Sequence, residues 1–303
     1  MDDNGVANMT QNGSGSTVPR RQLGRYLRDL REGAGMTLQG VATTLEWSRQ
    51  RVWRMETAQV PVRPTDVEAL CRLYRTEQAM TGQLLSLARE TKAKGWWHSY
   101  GDDAVPPWFE LYVGFEQTAT TLRKYQADLV PGLLQTQGYT REVIDLDHPQ
   151  MSPVDKALRL ALRQQRQALL SRVLPPAPTL NVYLSEAVLR RPVPNRRAMR
   201  EQLRFLARSH RRHNIGLRVV PLRAGLHAGA VAGSFTILDF PDAGPHPEPT
   251  IVYIESLAGA LYLDKPAEVR TYTMMWASLS RLALSEEDSA RLISLIAEEY
   301  VDE

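Results

Sequence analysis

Residues 37–56, Thr-Leu-Gln-Gly-Val-Ala-Thr-Thr-Leu-Glu-Trp-Ser-Arg-Gln-Arg-Val-Trp-Arg-Met-Glu, constrain this chain more than any other stretch. They read as two short helices joined by a tight turn. Thr37 and Ser48 stand where each helix begins. A hydroxyl there accepts a bond from one of the backbone N–H groups that a helix start leaves unpaired. Val41, Ala42 and Leu45 make one apolar edge, and Val52 and Met55 repeat it on the second helix. The opposite face of that second helix carries Arg49, Gln50, Trp53 and Arg54. A back that locks into a small core and a front of forked donors is what a helix needs to read base edges and phosphates in a DNA groove.

The flanks fit that reading. In residues 23–32, Leu23, Tyr26, Leu27 and Leu30 share a face, and Arg25, Arg28 and Arg31 lie away from it. Gly33 to Gly35 ends this helix as a glycine cap does. After a loop marked by Pro61 and Pro64, Thr65 to Tyr74 forms a fourth helix with Val67, Leu70, Cys71 and Tyr74 inward. Glu77 to about Lys94 forms a fifth, with Met80, Leu84, Leu87 and Ala88 inward. Cys71 reads as a small core residue, not a reactive thiol. Residues 1–17, rich in Gly, Asn, Ser and Thr, are expected to be a disordered tail. An all-α, five-helix domain is therefore expected over 18–95.

Charge sharpens the division. Residues 18–95 carry 14 Arg and Lys against 8 Asp and Glu, whereas residues 285–303 carry one Arg against 7 acids. A basic front end suits a polyanion and the acidic tail does not, although both could be solvated faces. The single cysteine excludes an internal disulfide and fits a reducing cytoplasm. No apolar run approaches the ~20 residues of a membrane span, and Asp2 and Asp3 stand where a secretory signal has basic residues. A cytoplasmic, nucleoid-associated protein with no membrane contact is expected.

Several residues together resemble the helix-turn-helix domain of the xenobiotic-response-element (XRE) family: Leu27-Arg28-x-Leu30-Arg31, Gly35-Met36-Thr37, Val41-Ala42-x-x-Leu45 and Ser48-x-x-x-Val52-x-Arg54-Met55-Glu56. The resemblance covers roughly residues 20–76. It implies double-stranded DNA as partner, with Arg49, Gln50 and Arg54 at positions that read bases or phosphates and Ser48 and Arg51 at phosphates. Thr37, Gln39 and Trp53 complete the expected contact set. Trp53 has two readings, stacking on the sugar–phosphate edge or a thymine methyl, or packing beside Trp47, and the second weighs more. Glu56 is expected to bond backbone or arginine, since a carboxylate is repelled by phosphate. The sequence departs from the family in three places. Leu38 replaces a usual Gln, Glu46 a usual Gly in the turn, and Ala58 a usual Gly after the second helix. Positive φ is common at the last two positions and neither residue favours it. The motif stands, and the fine geometry of its turns stays open.

Gly95 to Pro107 reads as the domain boundary, with Trp96, Trp97 and Trp108 anchoring the linker onto a domain. Beyond it, helical and β-branched stretches alternate. Helices are expected over 108–117, 139–145, 153–172, 196–212, 266–282 and 286–299. Strands are expected over 120–125, 179–184, 215–221, 233–240, 250–255 and 259–263. The long helix at 153–172 is expected to turn Ala157, Leu160, Ala161 and Ala168 inward. The fold class is thus mixed, an N-terminal helical domain joined to a mixed α/β domain with a small sheet over 96–303.

This second half also resembles a family. Leu129-Val-Pro-Gly-Leu-Leu-Gln-Thr136, Arg159-x-x-x-Arg163-Gln164, Ser185-Glu186-Ala-x-Leu189, Gly233-Ser-Phe235 and Tyr253-Ile-Glu255-Ser look like the C-terminal domain of antitoxin-like regulators of actinobacteria. Those regulators join an XRE helix-turn-helix to a domain of unknown function, and their genes commonly neighbour one for a small partner protein. The resemblance implies regulation through a protein partner.

No phosphate-binding Gly loop and no nucleophile elbow is present. His210 and His213 have metal-chelating spacing, but Arg208, Arg211 and Arg212 surround them and repel cations. His98 with Asp102 and Asp103 is too weak a cluster to carry a site. Neither catalysis nor a cofactor nor a metal is expected. Glu186 and Glu255 stand at strand ends among apolar residues. They either pair with Arg159 or Arg163 in a buried network or, with Tyr253 and Gln164 nearby in pattern, line a polar pocket. Buried carboxylates usually need a cation, which favours pairing. The expected function is a sequence-specific transcriptional regulator acting as a homodimer and modulated by a small protein. The alternative is a regulator that senses a small molecule through its C-terminal domain.

Overall fold

The computed structural model describes residues 17–90, 107–242, 248–257 and 259–300. The chain separates into two compact units, 1–96 and 97–303. The expected tail at 1–16, the linker with Trp96, Trp97 and His98, and the Trp108 side chain lie outside the described residues.

The first unit is helical. Helix α1 (Thr17–Gly33) begins six residues earlier than its apolar pattern suggests and includes the last residue assigned to the tail. It is followed by α2 (Leu38–Thr44), α3 (Arg49–Glu56), α4 (Pro64–Leu73) and α5 (Gln78–Glu90). Their apolar stripes meet in one core, in which Leu23, Leu27, Val41, Val52, Val67 and Leu84 are almost fully buried. Cys71 belongs to that core, and burial pushes its thiol pKa up.

The second unit is a mixed α/β domain around one six-stranded sheet, in the order β3-β2-β1-β4-β5-β6. Its chain order is α6 (Pro107–Thr118), β1 (Thr121–Gln126), α7 (Gln137–Asp147), α8 (Pro153–Gln167), β2 (Thr179–Ser185), α9 (Glu186–Arg190), α10 (Arg196–Ser209), β3 (Ile215–Val220), α11 (Ala228–Ala232), β4 (Phe235–Asp239), β5 (Ile251–Ser256), β6 (Gly259–Leu263), α12 (Pro266–Leu282) and α13 (Glu286–Glu298). Strands β1, β2 and β3 are parallel, as long helical crossovers require, and β4, β5 and β6 add antiparallel neighbours. The short helix α11 has no counterpart in the sequence pattern.

Alternation splits the sheet into two faces. Tyr125, Tyr183, Phe235, Ile237 and Val252 form one face, packed against Tyr272, Met275 and Trp276 of α12. Register places Lys124, Val182, Thr236, Tyr253 and Tyr262 in a row across the other. The acidic run near the C-terminus has a structural reason. Ser285 caps α13, and Glu286, Glu287 and Asp288 fill its first turn, where the helix dipole favours negative charge.

Candidate nucleic-acid interface

Each of the two central helices starts as its sequence indicates. Thr37 Oγ1 accepts from the Gly40 amide at 3.0 Å, and Ser48 Oγ accepts from the Arg51 amide at 3.1 Å. The back of α3 is buried through Val52 and Met55 against Val41 and Ala42. On its front, Ser48, Arg49, Gln50 and Trp53 are exposed and Arg54 is half-buried. Thr37 and Gln39 are exposed at the start of α2.

The turns keep their left-handed geometry without glycine. Glu46, Ala58 and Arg75 follow the ends of α2, α3 and α4 with φ of 55°, 59° and 56°, and Gly35 follows α1 with φ of 67°. All four close the same two bonds. After α2, Trp47 N reaches Ala42 O and Glu46 N reaches Thr43 O; after α3, Gln59 N reaches Arg54 O and Ala58 N reaches Met55 O. The geometry left open by Glu46 and Ala58 is thus the glycine geometry, held by the packed helices at some strain.

Three side chains depart from expectation. Arg31 does not lie away from the core: it is buried and bonds the Glu56 carboxylate twice, Nε to Oε1 at 2.7 Å and Nη2 to Oε2 at 2.9 Å. This ties the end of α3 to α1 and gives Glu56 the arginine partner expected of it. Gly24 makes the approach possible, because a Cβ there would sit 2.7 Å from Glu56 O and 2.8 Å from Met55 O. Arg51 is not poised for phosphate. Its Nη2 donates to Asp66 of α4 at 2.9 Å and its guanidinium lies 4.2 Å from the centre of the Trp47 ring. Trp53 does not join the rim: Trp47 packs on the core, while Trp53 stays 42% exposed beside Arg49 and Gln50.

In the second unit the structure separates the candidate residues. Glu186 bonds Arg190 at 2.8 Å and the Leu222 amide at 2.9 Å, so it pairs with neither Arg159 nor Arg163. Burial alone would raise its carboxyl pKa, but those two donors hold it low. Arg163 donates to Gln135 Oε1 at 2.7 Å, and burial lowers its pKa to about 10. Gln164 is exposed and Arg159 half-buried. The Tyr253 ring centre lies 4.2 Å from that of Tyr112 with the planes tilted by 33°, and its pKa is pushed up by burial and then by the neighbouring Glu255 carboxylate.

The charged network that does form was missed. On α8, Leu160, Leu162 and Arg166 are buried while Ala157 and Ala168 are exposed, so the expected alanine stripe is corrected. Arg166 makes two 3.0 Å bonds to the fully buried Glu116, and Lys124 Nζ lies 3.8 Å from the same carboxylate and donates to Tyr112. Burial lowers the Lys124 pKa to about 8, against the pull of Glu116. The signal in the sequence is Glu116 directly after the apolar run Leu111-Tyr-Val-Gly-Phe115.

A helical unit whose reading helix is anchored behind and polar in front defines a helix-turn-helix DNA-binding regulator. Comparison with protein families agrees, since residues 22–84 match a helix-turn-helix domain. Residues 109–294, more than half of the chain, match the domain of unknown function DUF5753, and the chain belongs to that family. The searches of curated proteins and of solved structures gave no match. Among the described residues no helix is long and apolar enough to cross a membrane, and no group of three His, Cys, Asp or Glu is placed to hold a metal ion.

Proposed function

We propose that the protein is a sequence-specific transcriptional regulator of the XRE type, not an enzyme, that reads operator DNA as a homodimer. The observation that carries this reading is the division of α3, with Val52 and Met55 sealed and Arg49, Gln50 and Trp53 exposed on adjacent turns. Arginine can bridge guanine O6 and N7, and glutamine adenine N6 and N7. One such helix reads only a few base pairs, so two copies at half-sites about 34 Å apart supply the needed specificity. The antitoxin-like motifs of the second half support control by a small protein encoded nearby.

The test is operator binding. Arg49→Ala and Gln50→Ala should each lose ~1–3 kcal/mol of discrimination between matched and scrambled sites. Arg51→Ala should instead lower the stability of the unit, because its guanidinium braces α3 against α4. Equal behaviour of all three variants on both sites would overturn the assignment. One observation favours the small-molecule alternative: the buried Tyr253 hydroxyl lacks a well-formed hydrogen bond. Stabilisation of the full chain by a metabolite, lost in Tyr253→Phe, would move the assignment there.

A further inference from the structure

We propose that α10 carries a second DNA-contacting surface, a row of arginines that grips phosphates and reads no base. Between residues 196 and 213 the chain has seven arginines, no lysine and one glutamate. The helix buries Ala198, Met199, Leu203 and Leu206, which turns Arg197, Arg204 and Arg208 to solvent. The closing turn, with Arg211 N bonded to Arg208 O at 3.1 Å, continues the row with the exposed Arg211.

The two ends of this row differ. At the start, Arg197 bonds Glu201 at 3.0 Å and Arg196 reaches the Glu299 carbonyl at 3.3 Å. Further on, no carboxylate among the described residues forms an ion pair with Arg204, Arg208 or Arg211. Like charges three and four residues apart weaken a helix, and a merely solvated face is better served by alternating Glu and Lys. Arginine throughout points to bidentate recognition of phosphate. At 1.5 Å per residue, Arg204 to Arg211 spans about 10 Å, close to three phosphates of one strand at 3.4 Å each. The surface belongs to the second unit alone, so the inference rests on DNA binding as such and not on the roles given to α3.

The test compares the full chain with the triple variant Arg204→Gln, Arg208→Gln, Arg211→Gln on a 30-base-pair duplex of random sequence. The slope of log K against log salt should flatten by about 2.7, or 0.9 for each lost phosphate contact. The triple lysine variant should keep the wild-type slope, and thermal unfolding should be unchanged in both. An unchanged slope in the glutamine variant removes DNA from this surface and leaves the α3 reading intact. A wild-type chain that does not bind the duplex at any salt concentration overturns both.

Discussion

Each unit buries a two-bond arginine–glutamate pair, and the two pairs are not alike. In the first, Glu56 faces the buried Arg31 and, at 3.9 Å, the half-buried Arg28, and the spare Arg31 donors reach Met36 O at 2.9 Å and Glu32 at 3.1 Å. In the second unit the fully buried Glu116 carboxylate faces two cations that are both buried, Arg166 and Lys124. The excess positive charge there meets aromatic faces, with Arg166 4.8 Å from the Phe109 ring centre and Lys124 4.9 Å from that of Tyr112. The first pair is a latch that fixes the angle of a reading helix. The second is a polar core whose fully buried anion holds two buried cations in place.

The largest expected effect follows from that difference. Glu116→Gln strands two buried cations and should cost about 3–5 kcal/mol in urea unfolding of the full chain. Glu56→Gln leaves Arg28, which is half-buried and open to water, and Arg31, which keeps Glu32 and the Met36 carbonyl, and should cost less. Equal costs would show that the burial of both cations around Glu116 is not what separates the two sites.

Close approach gives a smaller contrast. Gly24→Ala drives a methyl into two backbone carbonyls of α3 and should cost about 1–3 kcal/mol while weakening DNA binding. Gly138→Ala in the second unit meets Ala198, its methyl at 3.1 Å and its Cα at 3.5 Å, and should cost less. A reversed order, read from unfolding midpoints, would mean that α1 can slide on α3. The smallest effect has the opposite sign. Ala58→Gly and Glu46→Gly relieve left-handed backbone and should each stabilise by ~0.5–1 kcal/mol after the entropy that glycine adds to the unfolded chain. No rise in Tm would show that the strain is already absorbed by the packing around α3.

Most element spans were legible because their signals are local. Thr37, Ser48 and Ser285 cap helices within three residues, and the strands at 121–126, 179–185 and 251–256 show their β-branched and aromatic residues directly. The left-handed turns at Glu46 and Ala58 were not legible, because the residues oppose a conformation that the surrounding helices impose. Nor was α11, five residues of Ala, Gly and Val with no periodicity to display.

The sequence by itself determined where α3 runs, which of its residues are buried and which face is polar, since a 3.6-residue period and a cap are properties of neighbours in the chain. Only the tertiary structure decided which polar groups remain available. Arg51 is taken by a carboxylate 15 residues away, Arg31 by one 25 away and Arg166 by one 50 away. An ion pair forms wherever folding brings opposite charges together out of water, and no local pattern records which partner that will be.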